Sequence, residues 1–473
     1  MNLLENIIQA ISPAAALRRE QARKHAALVR SYEAASRGGR AANWYASGTD
    51  ANAENQFALT TIRNRARDLV RNNAYAAKAI DVLQNNAVGY GIRAGIRDSR
   101  AAAAWKQWAE TTACDFDGVH DIYGLQALVM RTVAESGECI VLRRFVNREL
   151  KLQVLEPDHL DTSKTENTST GAQIIQGVEF DTRGRRVAYW IFPEHPGGLS
   201  VMRSLTPERY PASGVLHIFE RQRPGQIRGV PFGVSSFIRL RDFAQYEEAQ
   251  LLRQKIASCY AVFVSDSTDS IASSTDDTIP DRVAPGTIER LPPGKSVSFA
   301  TPPTVENYAE YSSVMLHAIA AGYGVPYEAL TGDLSQVNFS SARLGWLEFQ
   351  RRISALQWRL LIPQFCAPAF GWWANFAELQ GVPVGVAANW TPPRREMIDP
   401  GKEIAAVENA VRAGFVTLPE AIKEFGYEPS EVFAEIASTN ETLDNLGIKL
   451  TTDPRYFQQA GKQPQENSTN NLA

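Results

Sequence analysis

Cysteine is scarce: Cys114, Cys139, Cys259 and Cys366 are the only four in 473 residues, and they form no CxxC pair or Cys/His cluster. Zinc-ribbon and redox-pair chemistry therefore has no ligand set here, and the thiols read as small buried hydrophobes of a reducing compartment. The histidines (His25, His120, His159, His195, His217 and His317) make neither HxH nor HExxH, which leaves helix-borne zinc hydrolysis unsupported. No serine sits in a GxSxG elbow; Ser136-Gly137 and Gly233-Val234-Ser235 do not fit it. The nearest approach to a phosphate loop, LPPGKS at 291–296, places Glu289 where a Walker loop needs its first glycine, so an acid stands where phosphate would sit. The most apolar late stretch, Leu360 to Ala377, is broken by Pro363, Gln364, Pro368 and Asn375 and does not make a membrane span. Met1–Ala10 contains Glu5 and no long apolar core, which predicts no secretory leader and a soluble chain made in a cytoplasm.

An excess of one charge is missing as well. The 49 Lys and Arg against 52 Asp and Glu give a net charge of −3, whereas a protein gripping nucleic acid along a broad basic surface relies on many Lys/Arg–phosphate contacts. With 44% hydrophobic and 21% charged residues the composition is that of an ordinary folded protein, long enough for about three average domains. Carboxylates gather at Glu156, Asp158 and Asp161, and again at Asp266, Asp269, Asp276, Asp277 and Asp281. Paired acids bind magnesium for phosphoryl chemistry, but neither group brings supporting donors at a usable spacing, so no metal site, cofactor site or enzyme is read here. Two rival readings are weighed against that: a nuclease or protease built on Glu156 and Asp158, and a nucleic-acid-binding module built on Arg63, Arg67, Arg71 and the N-terminal arm. The missing catalytic sets and the near-neutral charge disfavour both.

Along the chain, residues 1–50 are rich in Ala and Arg (Arg18, Arg19, Arg23, Lys24, Arg30, Arg37, Arg40) and read as a helical or disordered arm that packs only in an assembly. A helical pattern covers about 55–92, with Ile62, Ala66, Leu69, Ala77 and Ile80 on one stripe. Arg63, Arg67 and Arg71 recur every four residues on another face, where salt links within or between subunits are expected. Two more helices are expected over 101–136, strands at 138–145 and 150–155, and a strand-rich section at 173–220. From Phe237 to about Ala257 there is no Gly or Pro, and the charges Arg239, Arg241, Asp242, Glu247, Glu248, Arg253 and Lys255 leave much of the helix circumference wet or ion-paired. A compact insert follows at 259–303, with one good strand at Tyr260–Val264, a Ser/Thr/Asp run to Asp281, and GTIERL and SVSFA as candidate strands. A long helix is expected over 340–362, where Pro363 should kink or break it. The aromatic run WWANF at 372–376 reads as core or subunit packing, 383–390 as a returning strand, 399–438 as two helical pieces, and 451–473 as a disordered tail.

The most informative stretch is 319–343, IAAGYGVPYEALTGDLSQVNFSSAR. A helix capped by Thr304 carries Tyr308, Tyr311, Met315 and Ile319 on one face and is stopped by Gly322 and Gly324; Pro326 fixes a short piece through Leu330. The loop Thr331 to Phe339 is too polar to be core, and Ser340 or Ser341 should cap the next helix, whose Trp346, Phe349, Ile353, Leu356 and Leu360 keep helical spacing. A polar loop between two anchored helices belongs facing water, a ligand, or a polymer moving past.

This stretch resembles the portal proteins of tailed bacteriophages, in particular the lambda-type portal family. The runs GVPYEALTGDLSQVNFSSAR (324–343) and RNNAYAAKAIDVLQNNAVGYGI (71–92) carry the resemblance most clearly. AESGECIVLR (134–143), LEPDHLD (155–161), GVEFDTRGRRVAYWIF (177–192), HIFERQRPGQIRGVPFG (217–233) and DPGKEIAAVENAVRAGFVTLPEAI (399–422) follow in the family's order, over roughly residues 55 to 450. The resemblance implies an α+β, portal-like fold: a basic arm (1–50), a mixed α/β wing (51–236), stem helices (237–258 and 304–326) and a small β-containing clip (259–303). A tunnel loop (327–342), a long kinked helix returning to the wing (343–399), a helical C-terminal crown (400–450) and a disordered tail (451–473) complete it. It implies a non-catalytic ring, a dodecamer, at one capsid vertex of the virion, assembled in the host bacterial cytoplasm. That ring passes double-stranded DNA during packaging and ejection and meets the terminase large subunit, the major capsid protein and scaffold, and the head–tail connector or adaptor, with no membrane and no cofactor. The DNA-facing residues would be Thr331, Asp333, Ser335, Gln336, Asn338, Ser340 and Arg343; Arg241, Arg253 and Lys255 on the first stem helix would meet a neighbouring subunit or the channel.

Overall fold

The computed structural model describes residues 12–15, 17–19, 21–22, 43, 45–168, 171–199, 206–258, 262–266, 295–299, 308–335, 338–385, 388–450, 453 and 455. Most of the N-terminal arm, Cys259, Thr304, the acidic run from Asp269 to Asp281 and most of 451–473 therefore lie outside the described residues. The chain divides into two compact units, Met1–Glu54 and Asn55–Ala473. In the first, the described stretches at 13–15, 17–19 and 21–22 are helical, and the Asp50 Oδ1 accepts a 2.8 Å hydrogen bond from the Ala53 amide.

The second unit begins with α1 (Leu59–Asn72) and α2 (Ala74–Ala87), where the apolar period predicts one continuous helix. The break falls at Asn73, whose backbone is extended (φ −124°, ψ 119°) and whose Oδ1 accepts from the Tyr75 and Ala76 amides at 3.0 and 3.1 Å. An asparagine that satisfies two orphan amides starts a new helix while the hydrophobic stripe runs on. β1 (Arg93–Gly95) follows, then α3 (Ser99–Ala109) and α4 (Ile122–Ser136), each capped by an aspartate, Asp98 and Asp121. β2 (Glu138–Val146) and β3 (Glu149–Leu155) form a hairpin whose two-residue loop, Asn147-Arg148, has φ of 53° and 67°. Both residues are left-handed, as the turn that matches strand twist requires.

Five short strands, β4 (Glu166–Asn167), β5 (Gln173–Ile175), β6 (Val178–Phe180), β7 (Arg186–Ile191) and β8 (Glu208–Pro211), make one antiparallel sheet in sequence order. β9 (Val215–Phe219) returns to β2, giving a second sheet in the order β3-β2-β9. β2 is buried on both faces at its start. Cys139 and Val141 join a large helical core, while Ile140 and Leu142 join a smaller one with Leu160, Val178, Tyr189, Ile191, Val215 and Ile227. Period-two alternation thus lets one strand serve two cores.

Beyond the body come α5 (Phe237–Ser258), the antiparallel pair β10 (Val262–Asp266) and β11 (Lys295–Phe299), α6 (Tyr308–Tyr323), α7 (Tyr327–Thr331) and α8 (Phe339–Leu356). Pro363 does not break the chain. It lies inside a π-helical stretch, Gln357–Cys366, that runs without interruption into α9 (Ala367–Leu379). A wider turn accommodates a residue that has no N–H to donate and whose ring crowds the preceding turn. The same stretch supplies Gln364, whose amide exchanges hydrogen bonds of 3.0 and 3.2 Å with the N–H and C=O of Phe219 on β9. Trp372 and Trp373 on α9 are buried, and Trp373 meets Trp105 of α3 edge-on with centroids 5.0 Å apart, so this run is core. β12 (Asn389–Thr391) pairs with β1, and α10 (Pro400–Arg412), α11 (Leu418–Glu424) and α12 (Pro429–Leu446) end the described fold.

The body is tied together at one fully buried carboxylate, Glu138 at the first position of β2. Arg228 reaches it through Nη2 at 2.6 Å and Nε at 2.9 Å, Arg63 of α1 through Nη2 at 2.8 Å, His217 of β9 through Nε2 at 2.8 Å, and the Gly229 amide at 2.9 Å. Asp158 lies 3.5 Å from Arg63 and 2.5 Å from Arg67, so two carboxylates answer the arginines. Of the two expectations for the arginine repeat of α1, salt links within the chain are the ones found, and Arg63 is buried. Gly137 (φ 89°) and Gly229 make the approach possible, because a Cβ on Gly229 would stand 2.1 Å from the Gly137 carbonyl oxygen. Burial alone would raise the Glu138 pKa; Arg228, His217 and Arg63 outweigh it and hold it well below the usual range. The carboxylate is then the acceptor throughout, so His217 donates from Nε2 and is neutral, its pKa lowered by burial to about 4.

Removing one member of a buried, balanced charge set leaves the others unpaired. Glu138→Ala is expected to cost about 3–5 kcal/mol or to prevent folding, whereas Arg351→Ala, at an exposed pair with Glu348, should cost under about 1 kcal/mol. Urea unfolding checks both. The pH dependence has a definite sign. His217 titrates near 6.5 when unfolded and near 4 when folded, so its contribution is present above about 6.5 and is lost as pH falls toward 4, by about 1.4 kcal/mol per unit. Glu138, also depressed, adds a further loss below its unfolded pKa. His217→Gln should flatten the part of the urea-midpoint profile between pH 6.5 and 4.

Candidate functional site

The polar loop between α7 and α8 is positioned from below by the roots of α5 and α6. Phe237, Leu240 and Phe243 of α5 and Leu316, Ile319, Ala320 and Tyr323 of α6 are buried in the helical core. Gly322 is required where α6 crosses the turn before α5: a Cβ there would stand 2.5 Å from the Ser236 Oγ, which itself donates to the Gly233 carbonyl at 2.8 Å. Farther out, Tyr246 of α5 lies against Tyr308, stacked at 5.9 Å, and Tyr311, tilted at 4.6 Å. Core cover then ends. Ile238, Leu251, Leu252 and Val314 are exposed, although each is apolar. Arg241 and Lys255 are exposed as well, while Arg253 is half-buried with an Nη2 shielded from solvent and no hydrogen-bond partner among the described residues.

Past α6, α7 ends at Gly332, and the loop opens with a set of short-range bonds. Thr331 Oγ1 donates to the Tyr327 carbonyl at 2.9 Å and accepts from the Asp333 amide at 3.1 Å. Asp333 Oδ1 accepts from the Ser335 amide at 3.0 Å, and the Tyr327 hydroxyl donates to Asp333 Oδ2 at 3.4 Å. Hydrogen bonds from Ser335, and then from Tyr327, hold the Asp333 carboxyl below its usual pKa. The Tyr327 ring is stacked on His317 of α6, centroids 4.0 Å apart and 5° from parallel. Thr331, Asp333 and Ser335 thus share one braced turn, in which Thr331 is half-buried while Asp333, Leu334 and Ser335 are exposed to solvent.

Gln336 lies outside the described residues, and Asn338 is exposed just before α8. α8 begins at Phe339, so the backbone of Ser340 belongs to its first turn rather than to the loop or a cap. Arg343 is on the exposed face of α8, and its charge adds to Lys402 in depressing the pKa of Asp399. Sequence reasoning missed Tyr327 and His317 as the brace. They lie six and sixteen positions before Asp333 on separate helices, and no local motif joins them.

The acidic group in the body has a different character. Glu156, Asp158 and His195 present donor atoms within 4.8 Å of one another. The Arg67 Nη2, however, lies 2.9 Å from Glu156 Oε2 and 2.5 Å from Asp158 Oδ2, a cation already answering both carboxylates. Asp161 turns away, accepting from the Ser163 amide and hydroxyl at 3.0 and 2.6 Å. Among the described residues, no helix is long and apolar enough to cross a membrane.

Against known proteins, residues 37–357 match the family described as phage portal protein, lambda family. A probable portal protein of Halomonas phage phiHAP-1 is 26% identical over 93% of this chain and 91% of its own length. Portal protein B of Escherichia phage lambda is 24% identical over 82% of this chain and 84% of its own. Among solved structures, a chain from the neck of an empty GTA particle computed with C6 symmetry superposes with a TM-score of 0.50 at 14% identity, covering 83% of this chain and 99% of that one. That likeness extends the mixed helix-and-sheet fold to a solved particle component.

The crossing at Gly322 gives a direct check on how the loop is supported. Gly322→Ala should cost about 1–3 kcal/mol through overpacking against Ser236, and Ser236→Gly in the same chain should recover part of it. Thermal unfolding of the single and double variants measures both.

Proposed function

The chain belongs to the lambda family of phage portal proteins, and we propose that it works as the conduit of a capsid: a ring of twelve copies at one vertex of the virion, through which double-stranded DNA enters and leaves. The observation that carries this reading is the apolar surface left open along the projecting helices. Ile238, Leu251 and Leu252 on α5, Val314 on α6, and Leu344 and Leu347 on α8 are exposed and have no cover among the described residues, Leu344 being 72% exposed. Side chains of this kind are covered when each helix pair is flanked by two neighbours, and each square ångström removed from water contributes about 25 cal/mol. Arg253, whose shielded nitrogen has no partner among the described residues, is assigned to a carboxylate of the adjacent subunit. Arg241 and Lys255, both exposed, serve the same contact or the channel wall.

In this arrangement α5 and α6 are the stem, the β10–β11 insert is the clip, α1 to β9 with β12 form the wing, and α10 to α12 form the crown. The loop from Thr331 faces the DNA with Asp333, Ser335, Gln336, Asn338 and Ser340, and Arg343 is its single base. Weak polar contacts repeated around a ring suit a passage, because many tight lysine or arginine contacts to phosphate would hold the duplex still. The chain is non-catalytic in this reading: the terminase large subunit supplies ATP hydrolysis, and the major capsid protein, scaffold and head–tail connector are its other partners, assembled in the host cytoplasm.

Removing residues 333–339 tests the loop assignment. Rings of unchanged size in electron micrographs, together with heads that lose most of their packaged DNA, are expected. Rings that no longer form, or heads that fill and hold DNA normally, would contradict it.

A further inference from the structure

A cavity of about 410 Å³ opens where the end of α2, the middle of α8, the segment after β12 and the turn between α11 and α12 converge. Its chemistry is cationic, aromatic and amide-bearing. Arg93, Arg394 and Arg395 line it, with Glu396 as the one acid of the lining. Among the described residues Arg394 and Arg395 have no carboxylate in ion-pair range: Arg394 lies over the Phe425 ring at 5.5 Å, and Arg395 donates to the Ser354 hydroxyl at 2.8 Å. Arg93 has only a long contact to Glu431, 3.8 Å. Tyr90, 93% exposed, and Tyr427 stand at the rim.

The second observation is Gln350. It is 8% exposed, it lines this cavity, and its amide has no hydrogen-bond partner among the described residues. Its amide atoms are not shielded from solvent, so they face the open cavity with donors and an acceptor available to whatever occupies it. Gln357, two turns on along the same face, shows the contrast: it is also buried and lines the same cavity, but it donates to the Ala87 carbonyl at 2.9 Å.

We propose that this cavity binds one nucleotide, with phosphate on Arg394 and Arg395, the base against Tyr90 or Tyr427, and a base edge meeting the Gln350 amide. Guanidinium groups match phosphate oxygens in pairs, tyrosine faces take any base, and an amide both donates and accepts, as a base edge does. The volume is that of a small-ligand site and holds a single nucleotide, not a duplex. The ligand is therefore a free nucleotide or the terminal nucleotide of a single strand. This site lies apart from the loop between α7 and α8, and the proposal does not depend on the conduit reading.

The test is titration of the full-length protein, in whatever oligomeric state it purifies, with dAMP, with inorganic phosphate, and with a 5′-phosphorylated eight-base single strand carrying a dye at its 3′ end. Binding is expected for dAMP or the strand, weakened at least about tenfold by the double substitution Arg394→Ala and Arg395→Ala and likewise by Gln350→Leu. Both arginines are exposed, so that variant should keep its thermal midpoint, and it carries the test if Gln350→Leu fails to fold. Tighter binding of the strand than of dAMP assigns the site to a strand end; equal binding assigns it to the free nucleotide. Saturable binding that survives the arginine substitutions, phosphate binding as tight as dAMP, or no binding of any probe at millimolar concentration would each overturn the proposal.

Discussion

A single carboxylate without access to water fixes the order of the body. Glu138 sits at the start of β2, and everything that reaches it comes from somewhere else in the chain: Arg63 from α1, His217 from β9, Arg228 and the Gly229 amide from the segment before α5. Charges taken out of water are costly, and the cost is offset only where partners and geometry are complete. Here three arginines, Arg63, Arg67 and Arg228, stand against Glu138 and Asp158. The arrangement therefore tolerates little displacement of any one element. From Glu138 the strand separates two cores, Cys139 and Val141 on one side, Ile140 and Leu142 on the other. The sheet order and the position of the helices follow from that point.

The constraint reaches the helices that project from the body. β9 is held to the π-helical stretch by the paired bonds between Phe219 and Gln364, and the next residue, Glu220, receives both guanidinium nitrogens of Arg352 at 2.5 and 2.7 Å. α8 is thereby pinned near its C-terminal end, while its earlier turns leave Leu344 and Leu347 exposed. α6 is pinned at Gly322 and Tyr323. The loop between them is suspended from two fixed points, and its first turn is stiffened by Tyr327, Thr331 and Asp333. Under the proposed conduit reading, a body fixed in this way and a short, braced, polar loop suit a passage: the walls keep their place while the polymer moves.

Much of this was legible in the residues. The strands around 138–155 and the helices at 237–258 and 340–356 follow from alternation and from 3.6-residue periodicity. The family was legible because several runs occur in the family's order. The break at Asn73 was not, because the apolar stripe continues across it and only the side chain's choice of partners reveals the cap. Nor was the continuity through Pro363, since a π-helical turn has no sequence signature as plain as proline itself. The charged centre was the deepest omission. Arg63 reads as one of three arginines expected to make salt links within or between subunits, and Glu138 and His217 read only as residues of strands. Their meeting depends on contacts 75 to 90 positions apart, which periodicity does not carry.

The central claim is that the surfaces left apolar on α5, α6 and α8 are covered by further copies of the same chain, in a closed ring around a channel. Native mass spectrometry of the purified full-length protein, with class averages from electron microscopy, tests it most directly. The account predicts closed particles of many subunits with a central hole. A monomer or dimer that stays so in the presence of scaffold protein would contradict it.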